Sequence, residues 1–296
     1  MSKNNKSGIV YVIIPTYNRL ELTSQCISQL LNQTYENIKI IVSDGNSSDD
    51  TLDVISEEYP EVALLRSNKT LWWSGAMSKG IEYVHKNSTS KYDFVLMMND
   101  DTEFPKDYIE KMVNASVRFS SVVGSLTADV NYPDAEPDVG VYINWNEFSF
   151  SSKVADVDAK AYCNDIDTLP GRGTIIPIEI VRDVGNINVK KLPHYFADYE
   201  YFCRIKNRGY SLFVTYDTKI LIYPDKTGLV LNKEKKGNLL QKVNLYTSRK
   251  SKSNIFAQYN FIDSVAPNDM KIALKMRFIP KKLHKLIDFI ERKPTS

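Results

Sequence analysis

Four short apolar runs, Ile9–Ile14, Ile38–Val42, Val62–Leu65 and Phe94–Met98, punctuate the first hundred residues, and helical patterns separate them. Leu22, Cys26, Ile27, Leu30 and Leu31 recur at helical spacing after the first run. Leu52 and Ile55 mark a helix after the second, Met77, Ile81 and Val84 one after the third, and Tyr108, Ile109, Met112 and Val113 one after the fourth. Runs this apolar have no polar face to offer solvent, so they read as strands buried on both faces. The alternation predicts an α/β fold, a mostly parallel sheet with helices on both sides. In such sheets a ligand sits beyond the carboxyl ends of the strands, where the loops starting at Pro15, Ser43, Arg66 and Asn99 are expected to crowd together.

The fourth run raises a chemical question. It ends on Asn99, Asp100 and Asp101, and carboxylates resist burial without a partner. One reading makes the two aspartates caps of the helix that begins near Pro105. Adjacent carboxylates repel, however, and a divalent cation relieves the repulsion. Mg²⁺ prefers one or two carboxylates completed by phosphate oxygens, so a metal-diphosphate site is the other reading.

The chain beyond residue 120 is less regular. "VYINWNEFSF" alternates like a hairpin arm, Ile175–Ile176 ends a strand, and "FADYEYFCRIKNRGY" has a helix pattern closed by Gly209. Leu212–Thr215 and Ile220–Tyr223 read as two short strands. The 296 residues suffice for a large core, and no run of about 18 apolar residues exists to span a membrane. The N-terminus lacks a signal-peptide pattern, which makes the cytoplasm the default compartment. Cys26, Cys163 and Cys203 lie far apart with no C-x-x-C spacing, against a disulfide framework or a zinc cluster.

The formal net charge of +2 hides an asymmetry: residues 226–296 hold 16 of the 38 Lys+Arg but only 5 of the 36 Asp+Glu. The acidic remainder argues against nucleic acid as a partner. In the basic tail, Leu283, Leu286, Ile287 and Ile290 keep helical spacing among Lys281, Lys282, Lys285 and Arg292. Such a helix can lie on an anionic membrane surface, or pack its apolar face on its own domain or on a second copy in a homodimer.

Read together, "IIPTYNR" (13–19), "SDGNSSDDT" (43–51), "LWWSGAMSKGI" (71–81) and "NDDT" (99–102) resemble, in this order, the nucleotide-sugar half of inverting glycosyltransferases of family 2, which have the GT-A fold. "LWWSGAMSKGI" with "NDDT" is similar in particular to the bacterial rhamnosyltransferase-like branch. "PHYFADYEYFCRIKNRGY" (193–210) resembles the family's E-D-x-E-x-x-x-R block, and "GRGT" (171–174) its acceptor-side glycine loop. The resemblance covers roughly residues 9–225. It implies a GT-A domain over 1–230, with a nucleotide-binding half at about 9–120 and an acceptor half at about 121–230, followed by a basic helical region at 231–296.

The roles it implies are specific. Pro15, Thr16 and Tyr17 lie against the nucleotide, Asp44 accepts from the base, and Trp73, Gly75 and Lys79 belong to the donor site. Asn99 and Asp100 approach ribose and metal, with Asp101 the direct ligand of Mn²⁺ or Mg²⁺. Asp198 is the general base, ionised by its place at a helix start. Gly173, His194, Glu200 and Arg204 serve the acceptor. For several of these the residues alone allow a plainer reading. Asp44-Gly45 is also a turn dipeptide, Lys79 a solvated helix lysine, Asp198 a helix N-cap, and Glu200 with Arg204 an i,i+4 surface pair.

Two departures from the family pattern stand out. Ala197 replaces the first Glu of the block, and "LIYPDKTG" offers Asp225 where the family often has a metal-binding His. The resemblance implies transfer from a nucleotide-diphosphate sugar, UDP- or dTDP-linked, to a glycan or lipid-linked acceptor in surface polysaccharide synthesis. The rival enzyme class, a sugar-phosphate nucleotidyltransferase, calls for a Gly-rich loop after the first strand, and "PTYNR" has no Gly. A sugar-nucleotide-binding protein without turnover is the non-enzymatic alternative.

Overall fold

The computed structural model describes residues 8–155, 160–224 and 243–278, with the exception of Leu245 and Lys250. The first half runs β1 (Val10–Thr16), α1 (Leu20–Leu31), β2 (Ile38–Asp44), α2 (Thr51–Glu58), β3 (Ala63–Leu65), α3 (Trp73–Asn87), β4 (Phe94–Met97), β5 (Thr102–Glu103) and α4 (Tyr108–Phe119). The second half adds β6 (Val122–Asp129), β7 (Asp138–Asn144), β8 (Ser149–Val154), β9 (Tyr162–Cys163), β10 (Thr174–Pro177), α5 (Ile178–Val184), α6 (Ala197–Asn207), β11 (Leu212–Ile222) and α7 (Ile255–Val265).

The main sheet has the order β3-β2-β1-β4-β10-β6-β11-β5, with β7, β8 and β9 attached at its side. Strands β3, β2, β1 and β4 are all parallel, as the alternation requires. Beyond β4 the sheet turns mixed, because β10 is antiparallel to both β4 and β6 while β11 is parallel to β6. "Mostly parallel" thus holds for β3, β2, β1 and β4, and the sheet beyond them is mixed. The hairpin read from "VYINWNEFSF" is the β7–β8 pair. The two short strands expected after Gly209 are one, β11, whose register slips between Thr215 and Lys219. The polar residues of that bulge imitate a turn.

Strand period two sorts the core. Val10, Val12 and Ile14 of β1 and Phe94, Leu96 and Met98 of the β4 segment face one side, against Cys26, Ile27 and Leu30 of α1 and Ile109 and Met112 of α4. Tyr11 and Ile13 with Val95 and Met97 face the other side, against Met77, Ile81 and Val84 of α3, Ile180 and Val181 of α5, and Tyr201, Phe202 and Ile205 of α6. Helix α3 lies so close to β1 that a Cβ at Gly80 would fall 2.3 Å from Ile13 Cγ2. Phe261 of α7 belongs to this second core, its ring stacked on Trp145 at 5.9 Å, so α7 is docked against the β7–β8 hairpin. The amphipathic stretch from Lys281 to Arg292 and Asp225 lie outside the described residues. No helix among the described residues is long and apolar enough to cross a membrane.

Candidate active site

Parallel register brings the first loops to one edge. Thr16 at the end of β1 is paired with Asp44 at the end of β2. Gly45 N–H donates to Thr16 O at 2.8 Å, Asn18 N–H to Ser47 Oγ at 2.9 Å, and Ser48 N–H to Asn18 Oδ1 at 2.8 Å. These bonds stitch the loop after β1 to the loop after β2. Asp44 is fully buried, and its carboxylate accepts from Asn46 N–H (2.8 Å) and from the N–H (3.0 Å) and hydroxyl of Ser47. In this arrangement Asp44 carries out the turn chemistry that its Asp-Gly dipeptide announces. Pro15 is half-buried and Tyr17 exposed at the rim.

Asp100 and Asp101 are buried side by side, and the structure answers what neutralises them. Arg19, at the foot of α1, sends one guanidinium nitrogen to both, 2.8 Å from Asp100 Oδ1 and 3.2 Å from Asp101 Oδ2. Thr23 bonds Thr16 (Oγ1–Oγ1 2.8 Å) and approaches Asp100 Oδ2 at 3.5 Å. Burial pushes the Asp100 carboxyl up to about 6, with Arg19 opposing the shift and Asp101 adding to it. Neither aspartate caps α4, whose N-cap is Asp107.

Two hard oxygen donors converging on a single positive centre suit a divalent cation completed by phosphate oxygens. No third His, Cys, Asp or Glu joins such a group among the described residues. The donor set therefore fits a cation held jointly by Asp100, Asp101 and a diphosphate.

Trp73 links this end to the other half. Its Nε1 donates to Asn99 Oδ1 at 3.0 Å, and its ring lies under Gly171, where a Cβ would sit 2.4 Å from Cζ2. Gly171 N–H in turn donates to Asp198 Oδ2 at 3.0 Å. Asp198 is the second residue of α6, not its N-cap; Phe196 holds that place in the left-handed region, φ 67°. The second carboxylate oxygen accepts from Tyr199 N–H at 2.9 Å. Burial pushes the Asp198 carboxyl up, opposed by these backbone N–H groups and by the charge of Arg172. Ionisation is thus governed by burial rather than by the helix start alone. Each Asp198 oxygen keeps lone pairs for a proton donor.

Beside Asp198 stand Tyr195 and His194, whose rings lie 4.6 Å apart, with Trp72 5.6 Å beyond His194. Ser74 N–H donates to Pro193 O at 3.4 Å and ties this aromatic wall to the start of α3. A sugar ring packs well on such surfaces.

Other expected site residues have structural partners. Glu200 is buried and paired with Arg204 (3.0 Å), which also donates to Val184 O and Asn186 O at 2.8 and 2.9 Å. The pair braces α6 against the end of α5 and the segment after it, and is not a solvated surface pair. Lys79 donates to the backbone carbonyl of Arg66, at the edge of a cavity of about 720 Å³ shared with Gly75 and Lys69, and is not merely solvated. Gly75 meets Leu71, where a Cβ would lie 3.3 Å from its side chain. Gly173 is buried in the left-handed region (φ 69°) beneath Tyr108, whose hydroxyl bonds its carbonyl at 3.0 Å, and it turns the loop. Sequence reasoning assigned no role to Arg19, Gly171 or Arg172, although all three sit inside motifs it singled out.

Residues 11–147 match the model of the family described as Glycosyl transferase family 2. Among curated proteins, the chain is 32% identical over 96 residues to the GalNAc(5)-diNAcBac-PP-undecaprenol beta-1,3-glucosyltransferase of Campylobacter jejuni, covering 31% of this chain and 29% of that protein. It is 25% identical over 144 residues to Glycosyltransferase GlyG of Streptococcus pneumoniae, covering 48% and 41%. An uncharacterized glycosyltransferase of Rickettsia typhi is 32% identical over 117 residues, covering 38% and 34%. The matches thus span less than half the length of these relatives.

Among solved structures, the mannosyltransferase PcManGT from Pyrobaculum calidifontis, in complex with GDP-Man and Mn²⁺, aligns with a TM-score of 0.57 at 15% identity over 95% of this chain and 73% of that one. S. aureus TarS aligns at 0.55 and 14%, over 96% and 55%. The fold is that of GT-A glycosyltransferases.

Proposed function

We propose that the chain is an inverting glycosyltransferase that moves a sugar from a nucleotide-diphosphate donor to an acceptor hydroxyl. One observation carries the reading: the Asn99–Trp73–Gly171–Asp198 chain of contacts connects a carboxylate with no ion pair among the described residues to the strand end where Asp100 and Asp101 converge on the Arg19 guanidinium. The acceptor oxygen attacks the anomeric carbon and its proton passes to Asp198. The bond from that carbon to the phosphate oxygen breaks, and its electron pair leaves on the nucleoside diphosphate. No covalent intermediate is needed, so catalysis is positioning plus electrostatics.

Burial makes Asp198 a stronger base than an exposed aspartate, which suits proton removal from a poorly acidic hydroxyl. A divalent cation, Mn²⁺ or Mg²⁺, held by Asp101 with Asp100 beside it, would offset charge on the leaving diphosphate. Thr16 and Tyr17 border the nucleotide, and the Trp72–His194–Tyr195 wall borders the sugar and acceptor.

The donor is taken to be a UDP- or dTDP-linked hexose or rhamnose. The acceptor is taken to be a glycan or lipid-linked saccharide of a bacterial surface polymer, met at the cytoplasmic face of the membrane. The undecaprenol-linked acceptor in the name of the Campylobacter jejuni relative supports that class. The GDP-Man and Mn²⁺ bound to the Pyrobaculum calidifontis protein support a cation-assisted nucleotide sugar.

Thermal-shift screening of UDP-, dTDP- and GDP-sugars with and without Mn²⁺ tests the reading. A ligand at 100 times its Kd stabilises by about 2.7 kcal/mol. Cation-dependent stabilisation followed by donor hydrolysis is expected. Stabilisation without any turnover would mark a binding protein instead.

A further inference from the structure

Arg172 lies in the loop Gly171–Gly173, whose first residue bonds Asp198, and no acidic side chain pairs with it among the described residues. Its Nε is buried with no hydrogen-bond partner, and its guanidinium forms no ion pair among the described residues. Three other cations of the expected site and its motifs are engaged: Arg19 with Asp100 and Asp101, Arg204 with Glu200, and Lys79 with the carbonyl of Arg66. A buried donor without an acceptor is costly, and in native proteins such groups point to a missing partner.

The loop cannot relax to supply that partner. Gly171 is pinned by its bond to Asp198 Oδ2 and by the Trp73 ring, and a Cβ at Gly173 would fall 2.5 Å from the Tyr108 hydroxyl. Arg172 is close enough to draw the Asp198 carboxyl down against burial, yet the two side chains form no ion pair. The Trp73 indole stands between Gly171 and Asn99, the residue that precedes the Asp100–Asp101 pair.

Resting on the transferase reading above, we propose that Arg172 is an acceptor-side anion site: the acceptor carries an oxyanion, phosphate or carboxylate, that pairs with Arg172 while its hydroxyl is delivered to Asp198. An anionic acceptor approaching an ionised base is repelled, and Arg172 offsets that repulsion. A planar guanidinium also fixes an oxyanion through two parallel bonds and so orients the neighbouring hydroxyl.

The test uses the full chain loaded with Mn²⁺ and whichever of UDP, dTDP or GDP stabilises it. Glycerol 3-phosphate and glucuronate are titrated as the phosphate and carboxylate probes, with glycerol and glucose as neutral controls. Wild type is expected to bind one anionic probe and neither neutral one. Arg172→Gln should weaken that binding about tenfold or more, Arg172→Lys less, with nucleotide affinity unchanged in both, as befits a charge-assisted contact confined to the acceptor side. Equal binding by wild type and Arg172→Gln, or no binding of either anionic probe to wild type, overturns the proposal while leaving the transferase reading intact. Loss of nucleotide affinity in Arg172→Gln also overturns it, since the arginine would then serve the donor. If no nucleoside diphosphate stabilises wild type, the transferase reading fails and the proposal falls with it.

Discussion

The indole nitrogen of Trp73 donates to the side-chain carbonyl of Asn99 at 3.0 Å, and through this bond the loop that carries Asp100 and Asp101 and the loop that holds Asp198 share one strut. Trp73→Phe keeps a ring under Gly171 and deletes only the hydrogen bond. A neutral hydrogen bond is worth about 1 kcal/mol, so kcat/KM is expected to fall roughly fivefold with little change in melting temperature. Steady-state kinetics beside a thermal melt would check it, and an unchanged kcat/KM would remove Trp73 from the strut.

Gly171 tests the same strut from the other side. A Cβ there would lie 2.4 Å from the Trp73 ring and 3.1 Å from Asp198 Cβ. Gly171→Ala must therefore displace one or both, at about 1–3 kcal/mol of overpacking strain. Transfer should drop far more than stability, because the base moves. An active Gly171→Ala with wild-type kinetics would mean that the loop is freer than its contacts imply.

The cation site yields a graded expectation. Asp101→Ala should abolish Mn²⁺-dependent nucleotide binding and Asp100→Ala should weaken it less, while Arg19 keeps one carboxylate partner in each variant. Calorimetric titration of UDP or dTDP with Mn²⁺, repeated after EDTA, reads this out. Full Mn²⁺-dependent binding in Asp101→Ala would contradict the assignment.

Much of this was legible in the sequence. Strands buried on both faces leave continuous apolar runs, so β1, β2 and β4 stand out, and the carboxylates at 100, 101 and 198 sit in recognisable blocks. The bulge in β11 was not legible, because Tyr216, Asp217 and Thr218 read as a turn until pairing with β6 shows that the strand continues past them. The i,i+4 spacing of Glu200 and Arg204 reads as a pair, but the carbonyls of Val184 and Asn186 that make it a brace are distant in sequence. Arg19 and Arg172 lie in loops, where no periodicity marks a side chain. What distinguishes them is one set of partners and one missing partner, and both exist only in the fold.

The pH dependence follows from Asp198. Its pKa lies above that of an ordinary aspartate because burial disfavours the charge, and the reaction needs the ionised form. Activity should therefore fail on acidification at a higher pH than an exposed aspartate would allow, and recover as pH rises. The Arg172 charge favours ionisation, so Arg172→Gln should move the acidic limb of kcat/KM to higher pH. A limb that stays in place, or moves down, would separate Arg172 from the base electrostatically.

The central claim is that Asp198 takes the acceptor proton, and Asp198→Asn measured for transfer and donor binding together tests it most directly. Asparagine keeps the size and the acceptor for one backbone N–H but cannot accept the proton. Transfer should fall by about 10²–10⁴-fold while Mn²⁺-dependent donor affinity stays nearly constant. A wild-type transfer rate would contradict the mechanism, and loss of donor binding together with transfer would make Asp198 a structural residue and place the base elsewhere.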